Sequence, residues 1–237
     1  MALLLAAAVV AAGCGGDGEE TGTAATDAPS VPTYPDDPEA GKTLEAFIQA
    51  AGRKDTTSMW NLLTVQSQER YGPLASWKTG PGRELQIVLG TFAGAKGSYE
   101  LVLQQRVSAR WSVATVAATV EVGGSTEYGA YSAVVTRERG EPRIDLATTV
   151  QFNPLSPEPE LETDSTPTIA SEITSNEPVL EHVVWVDDRP YPSAIAPDAL
   201  ILAAEVTSPI EGGRHTVTTF GESQYGAGSN AYSFAVG

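Results

Sequence analysis

The chain has 237 residues, of which 41% are hydrophobic, a single cysteine, and a net charge of −16 from 30 acids against 14 bases. That apolar content suffices for packed cores, one thiol excludes an internal disulfide framework, and the lack of a basic stripe argues against nucleic acid as a partner. The charge is uneven: residues 15–40 hold 7 acids and no base, 41–152 hold 10 acids and 12 bases, and 153–237 hold 13 acids and 2 bases. A near-neutral middle between acidic segments predicts two folded units of separate character. The overall acidity also disfavours direct contact with anionic lipid headgroups.

Residues 2–12 are an apolar run of eleven, followed by Gly13 and the lone Cys14. As a helix this run is about 16 Å long, whereas a bilayer span takes about 20 residues. A short apolar stretch ending in small residues has the form of a secretory signal peptide. Ala12-Gly13-Cys14 resembles the lipobox of bacterial lipoproteins. The resemblance implies signal cleavage between Gly13 and Cys14, lipidation of the Cys14 thiol, and an extracytoplasmic protein lipid-anchored to the cell membrane. Two or more acyl chains give stable anchoring. No Lys or Arg precedes Cys14, so the true start is expected upstream of Met1. Residues 14–37 are Gly, Thr, Pro and acid with few large apolar side chains, and are expected to form an acidic, disordered tether.

Asp37-Pro38 predicts a helix start, and Leu44, Phe47, Ile48 and Ala51 form an apolar stripe at helical spacing. Asp55 caps a second expected helix bearing Met59, Trp60, Leu62 and Leu63, and a third short turn runs from Ser67 to Gly72. The period then changes: residues 85–89, 99–103, 111–122, 128–136 and 143–149 read as strands. Helices followed by a meander predict an α+β unit over 38–152.

The run from Thr43 to Ala51, then Lys54-Asp55 and Trp60-Asn61-Leu62-Leu63, resembles the opening helical hairpin of NTF2-like domains. Ala130 to Val135, with Arg137-Glu138 and Arg143-Ile144-Asp145-Leu146, is similar to their closing hairpin. The resemblance implies a curved antiparallel sheet wrapped as a cone around a helix, with a possible pocket at its open end. Trp60, Tyr71, Trp77, Trp111 and Tyr131 are the pocket candidates. By analogy with ketosteroid-isomerase-like members, Asp145 with Tyr71 or Tyr131 would supply a base and a phenol. Read from its own position, however, Asp145 is a solvated strand residue, and Trp60, Trp77 and Trp111 fill the cone. No histidine occurs in 38–152, which excludes a histidine-based catalytic or metal site there.

Residues 153–166 carry prolines and acids and are expected to form a stiff spacer. Beyond it, residues 169–173, 179–186, 200–206, 215–220 and 231–236 read as short strands of a small all-β sandwich over 167–237. Val184-Trp185-Val186, Gly213-Arg214-His215-Thr216-Val217 and Ala231-Tyr232-Ser233-Phe234 resemble bacterial Ig-like modules, which implies a tryptophan in the core. His182 and His215 lack further ligands at metal spacing. Asp187-Asp188 with Glu181 could offer calcium oxygen ligands, but a two-residue acidic turn is the plainer reading. No catalytic motif, metal set or cofactor loop is present, so no metal or cofactor is expected. The expected role is non-enzymatic binding at the bacterial cell envelope, with an envelope protein or cell-wall component as partner. The alternative is a small-molecule binder or enzyme using the NTF2-like pocket.

Overall fold

The first helix, α1 (Pro38–Gly52), starts where expected, with proline at its first position, preset in φ and without an N–H to leave unbonded. Its stripe of Leu44, Phe47, Ile48 and Ala51 is fully buried. In this computed structural model residues 32–94, 99–122, 124–159, 161–196 and 200–237 are described. Gly13, Cys14 and most of the expected tether lie outside them. The described residues belong to one compact unit, Val31–Gly237.

Helices α2 (Thr56–Asn61) and α3 (Val65–Tyr71) are capped by their own side chains: Asp55 accepts from the Ser58 N–H at 3.0 Å, and Thr64 Oγ1 from the Ser67 N–H at 3.1 Å. Gly72, at φ 75°, ends α3 in a conformation that side chains resist. Two further helices follow, α4 (Leu74–Thr79) and α5 (Pro81–Ala93). The strand expected at 85–89 is therefore corrected to helix. Over five residues its apolar run mimics a strand, but Leu85, Leu89 and Phe92 fall on one helical face against the core, while Ile87 and Val88 stay exposed.

The first sheet is an antiparallel meander of β1 (Glu100–Arg106), β2 (Trp111–Val122), β3 (Ser125–Glu138) and β4 (Glu141–Asp145), in that order. Arg139 and Gly140 join the last two strands, both at positive φ, as a twisted two-residue hairpin turn requires.

The chain then builds two more sheets. One orders β10 (Ser193–Ala196), β11 (Ile201–Glu205), β7 (Thr168–Ser175) and β5 (Val150–Ser156). The other orders β6 (Glu162–Thr163), β13 (Gly226–Val236), β12 (Gly213–Ser223), β8 (Val179–Val186) and β9 (Arg189–Tyr191). All pairings are antiparallel except β13 with β6. The fold is thus helices followed by antiparallel sheets.

Two departures from expectation concern the presumed connectors. The stretch expected as a spacer at 153–166 contributes part of β5, paired with β7, and all of β6. Pro154 sits in β5, an edge strand, where the register slips between Pro154 and Ser156, and Pro157 and Pro159 lie past its end. At the end of the expected tether, Pro35 accepts from the Arg106 N–H at 2.8 Å and Tyr34 packs edge-on against Trp185 at 5.6 Å.

Alternation along the strands stacks these pieces in four layers. Ala114, Val116, Ala118, Ala133 and Val135 of the first sheet face the helices. Leu103, Trp111, Val113 and Val134 project the other way and share a core with Val183, Trp185, Phe220 and Ala227. The opposite face of that five-stranded sheet, with Val184, Val186, Val217, Tyr232 and Phe234, packs on Phe152, Ile169, Ile173 and Leu202. The five-stranded sheet is therefore buried on both sides.

Candidate functional site

Four of the five sequence-predicted pocket aromatics belong to the helix-side core: Trp60, Tyr71, Trp77 and Tyr131. Trp77 is fully buried, and its ring lies 5.7 Å from that of Trp60 and 5.4 Å from that of Tyr71, in tilted contact. The Trp77 indole N–H donates to the Thr56 carbonyl at 2.9 Å, and the Tyr71 hydroxyl to that of Leu146 at 3.3 Å. Burial, reinforced by Asp145 and opposed by Arg70, pushes the Tyr71 phenol above its ordinary range. Burial, with Tyr71 adding, does the same for Tyr131. Both phenols are thereby held protonated. Trp111 does not join this group; it points through the opposite face of β2 toward Trp185 and Phe220.

Asp145 is not solvated as its sequence position suggests; it is only 4% exposed. The reason is an edge pairing invisible in the sequence. The segment after α2 lies along β4, with Ile144 N–H donating to Leu62 O at 2.8 Å and Thr64 N–H to Ile144 O at 2.9 Å. That places the start of α3 over the carboxylate. Oδ1 accepts from Thr64 Oγ1 at 3.1 Å, Ser67 Oγ at 2.8 Å and the Ala147 N–H at 3.0 Å. Ser67 was read only as a helix start; its role in holding this loop has no local sequence signal.

The two histidines are not brought together. His182 Nε2 is 3.1 Å from Ser193 O, while His215 lies about six strand positions, or about 20 Å, further along. His215 Nδ1 is 2.8 Å from Asp187 Oδ2, and its Nε2 is 2.8 Å from Glu211 O. The other Asp187 oxygen accepts the Thr216 N–H at 2.9 Å. Asp187 is thus committed within its turn, at the opposite end of β8 from Glu181. Among the described residues no group of three or more His, Cys, Asp or Glu could hold a metal ion.

His215 and Asp187 border the largest cleft described, about 700 Å³, between the first sheet and the five-stranded sheet. Glu100 and Tyr128 line it from one side, Asp188 and Arg214 from the other. The Arg214 guanidinium sits 4.7 Å over the Tyr128 ring. Glu100 and Tyr128 have no motif around them, and the Gly213–Val217 motif gives Arg214 no binding signal; only the packing of two sheets brings the three together. A second basic recess at the ends of β1 and β3 gathers Arg106 and Arg137 around buried Asp37 at 3.2 and 3.5 Å, with Arg110 stacked on Trp111. Among the described residues, no helix is long and apolar enough to cross a membrane.

No protein-family model matches the chain, and no curated protein matches it. Among solved structures, an endo-β-1,4-mannanase from Thermotoga petrophila is 16% identical, with 37% of this chain and 20% of that one covered, at a TM-score of 0.33. CopC from Methylosinus trichosporium is 12% identical over 36% of this chain and 93% of its own, at 0.31. A tandem of immunoglobulin domains from titin is 12% identical over 56% of this chain and 77% of its own, at 0.26. The chain thus spans only a fifth of the mannanase, and similarities at these scores carry no argument about its chemistry.

Proposed function

We propose that this chain is a non-enzymatic binding or interaction protein of the bacterial cell envelope, anchored through lipid on Cys14. In this reading the helices and first sheet form an NTF2-like part and the two later sheets an Ig-like sandwich, fused into one rigid body. The observation that carries it is the continuous core joining Trp111 and Val113 to Trp185 and Phe220. A body fused in this way presents fixed clefts between its layers to a partner. Trp60, Tyr71 and Trp77 pack against one another, which supports their reading as core rather than as the lining of an open pocket.

Intact-mass analysis of the protein recovered from membranes of a bacterial host, beside Cys14→Ala, tests the anchor. The expected product begins at Cys14, carries acyl mass, and loses both membrane retention and that mass in the variant. An unmodified thiol on a freely soluble product would overturn the placement. Photo-crosslinking from Arg214 and Tyr128 in the same membranes then tests the interaction reading, with a discrete adduct expected.

A further inference from the structure

The cavity beside Asp145 is distinct from the helix-facing side of the sheet. Asp145 pairs with Val134 across the β3–β4 ladder and so shares its face, which meets the five-stranded sheet. The ladder stops at this pair, so residues of β3 before Val134 have no β4 neighbour along that edge. A cavity of about 160 Å³ lies there, bordered by Tyr131, Ser132, Asp145, Thr148, Ser229 and Asn230.

Its chemistry is one-sided. All three donors to Asp145 reach Oδ1, and Oδ2 has no donor among the described residues. No described Lys, Arg or His pairs with this buried carboxylate; the neighbouring Arg70 donates instead to the Thr148 carbonyl at 2.9 Å. Ser132 Oγ donates to Ser229 Oγ at 3.0 Å, which leaves lone pairs on both hydroxyl oxygens as acceptors, whereas the Asn230 side chain lies on the opposite face of β13 with Tyr232 and Phe234 and donates to Phe152 O at 3.1 Å. A buried carboxylate with one oxygen that lacks a donor, beside hydroxyl oxygens able to accept, suits a compact cation carrying several N–H donors.

We propose that this cavity binds a short-chain primary ammonium ion, its head on Asp145 Oδ2 and its N–H groups shared with the Ser132–Ser229 hydroxyl pair. At about 160 Å³ the cavity has room for a small organic cation. The assignment goes beyond the envelope reading and does not depend on it.

The test titrates the full chain with ethylammonium chloride, following backbone amide resonances, against tetramethylammonium chloride and sodium chloride at equal ionic strength. Tetramethylammonium has the charge without the donors; sodium has the charge in an inorganic ion. Saturable shifts at Ser132, Asp145, Ser229 and Asn230 with ethylammonium alone are expected. Asp145→Asn keeps an oxygen for Thr64, Ser67 and Ala147 but removes the charge, and should weaken binding about tenfold or more. Ala231→Leu, from the strand face that carries Ser229, fills the cavity without touching Asp145 and decides the matter if the first variant fails to fold; it should abolish the shifts. No saturable response, an equal response to sodium or tetramethylammonium, or unchanged binding in the folded variants would each overturn the proposal.

Discussion

The two faces of the first sheet are both buried, yet they are built differently. Toward the helices β2 and β3 present Ala114, Val116, Ala118, Ala133 and Val135, an apolar surface closed by Leu44, Phe47 and Trp77. Toward the five-stranded sheet the same strands present Trp111, Val113 and Val134 interspersed with hydroxyls, and those hydroxyls pair across the junction: Thr218 Oγ1 donates to Thr115 Oγ1 and Ser132 Oγ to Ser229 Oγ, both at 3.0 Å. Apolar burial is indifferent to direction, whereas hydroxyl pairs fix register. The helix side therefore supplies bulk stability, and the junction supplies that together with a defined alignment of the two halves.

The comparison breaks most sharply at Trp185, whose ring is fully buried in the junction and whose N–H donates to Gln105 at 2.8 Å. Trp185→Ala should cost about 3–5 kcal/mol, as much as Trp77→Ala on the helix side. Denaturant unfolding should remain a single transition in both variants. Two separable transitions, only one of which moves, would show that the junction is not a core.

A smaller effect is expected where backbones meet. A Cβ on Gly228 would lie 1.7 Å from the Val150 carbonyl oxygen, so β13 and β5 approach too closely for any side chain. Gly228→Ala should destabilise by about 1–3 kcal/mol, read from the shift of the denaturation midpoint. No loss would mean that β5 does not sit against β13 as described.

Asp37 ties α1 to the first sheet rather than capping its helix. Burial alone would raise its carboxyl, but hydrogen bonds from Ser112 and Arg106, together with the Arg106 charge, outweigh burial and hold it below the usual carboxylate range. A folded-state value below the unfolded one adds stability that is complete above the unfolded value, near 4. That stability is lost as pH falls through the lower folded value. Asp37→Asn should remove roughly 1–2 kcal/mol at neutral pH and flatten the acid limb of a stability–pH curve; an unchanged limb would exclude this role.

The smallest effect sharpens the junction itself. Thr115→Val and Thr218→Val should each destabilise, while the double variant recovers most of the loss, with a coupling of about 0.5–1.5 kcal/mol in a double-mutant cycle. Additive losses would mean that the two hydroxyls do not pair.

What the sequence made legible follows the same division. The α1 stripe and the strands at 111–122 and 179–186 could be read because a helical period or a β-branched run marks them locally. The α5 helix was misread because a stretch of five residues, Leu85 to Leu89, holds too little of its period. The spacer was misread because β5 is an edge strand and tolerates Pro154, while Pro157 and Pro159 lie past its end. Of the aromatic pocket candidates, Trp60, Tyr71, Trp77 and Tyr131 lie together in the helix-side core, whereas Trp111 lies in the junction. In a strand buried on both faces, alternation no longer says which side a residue takes. The surroundings of Asp145 were least legible, since Thr64, Ser67 and Asp145 lie about 80 positions apart and are joined only by an edge pairing.

The five-stranded sheet has an unusual outline: eleven-residue strands β12 and β13 near its middle, but only two residues in β6 at one border and three in β9 at the other. A border that short offers few free N–H and C=O groups to a strand from another molecule. The outermost strands are thus stubs, too short to template a strand from another molecule by themselves.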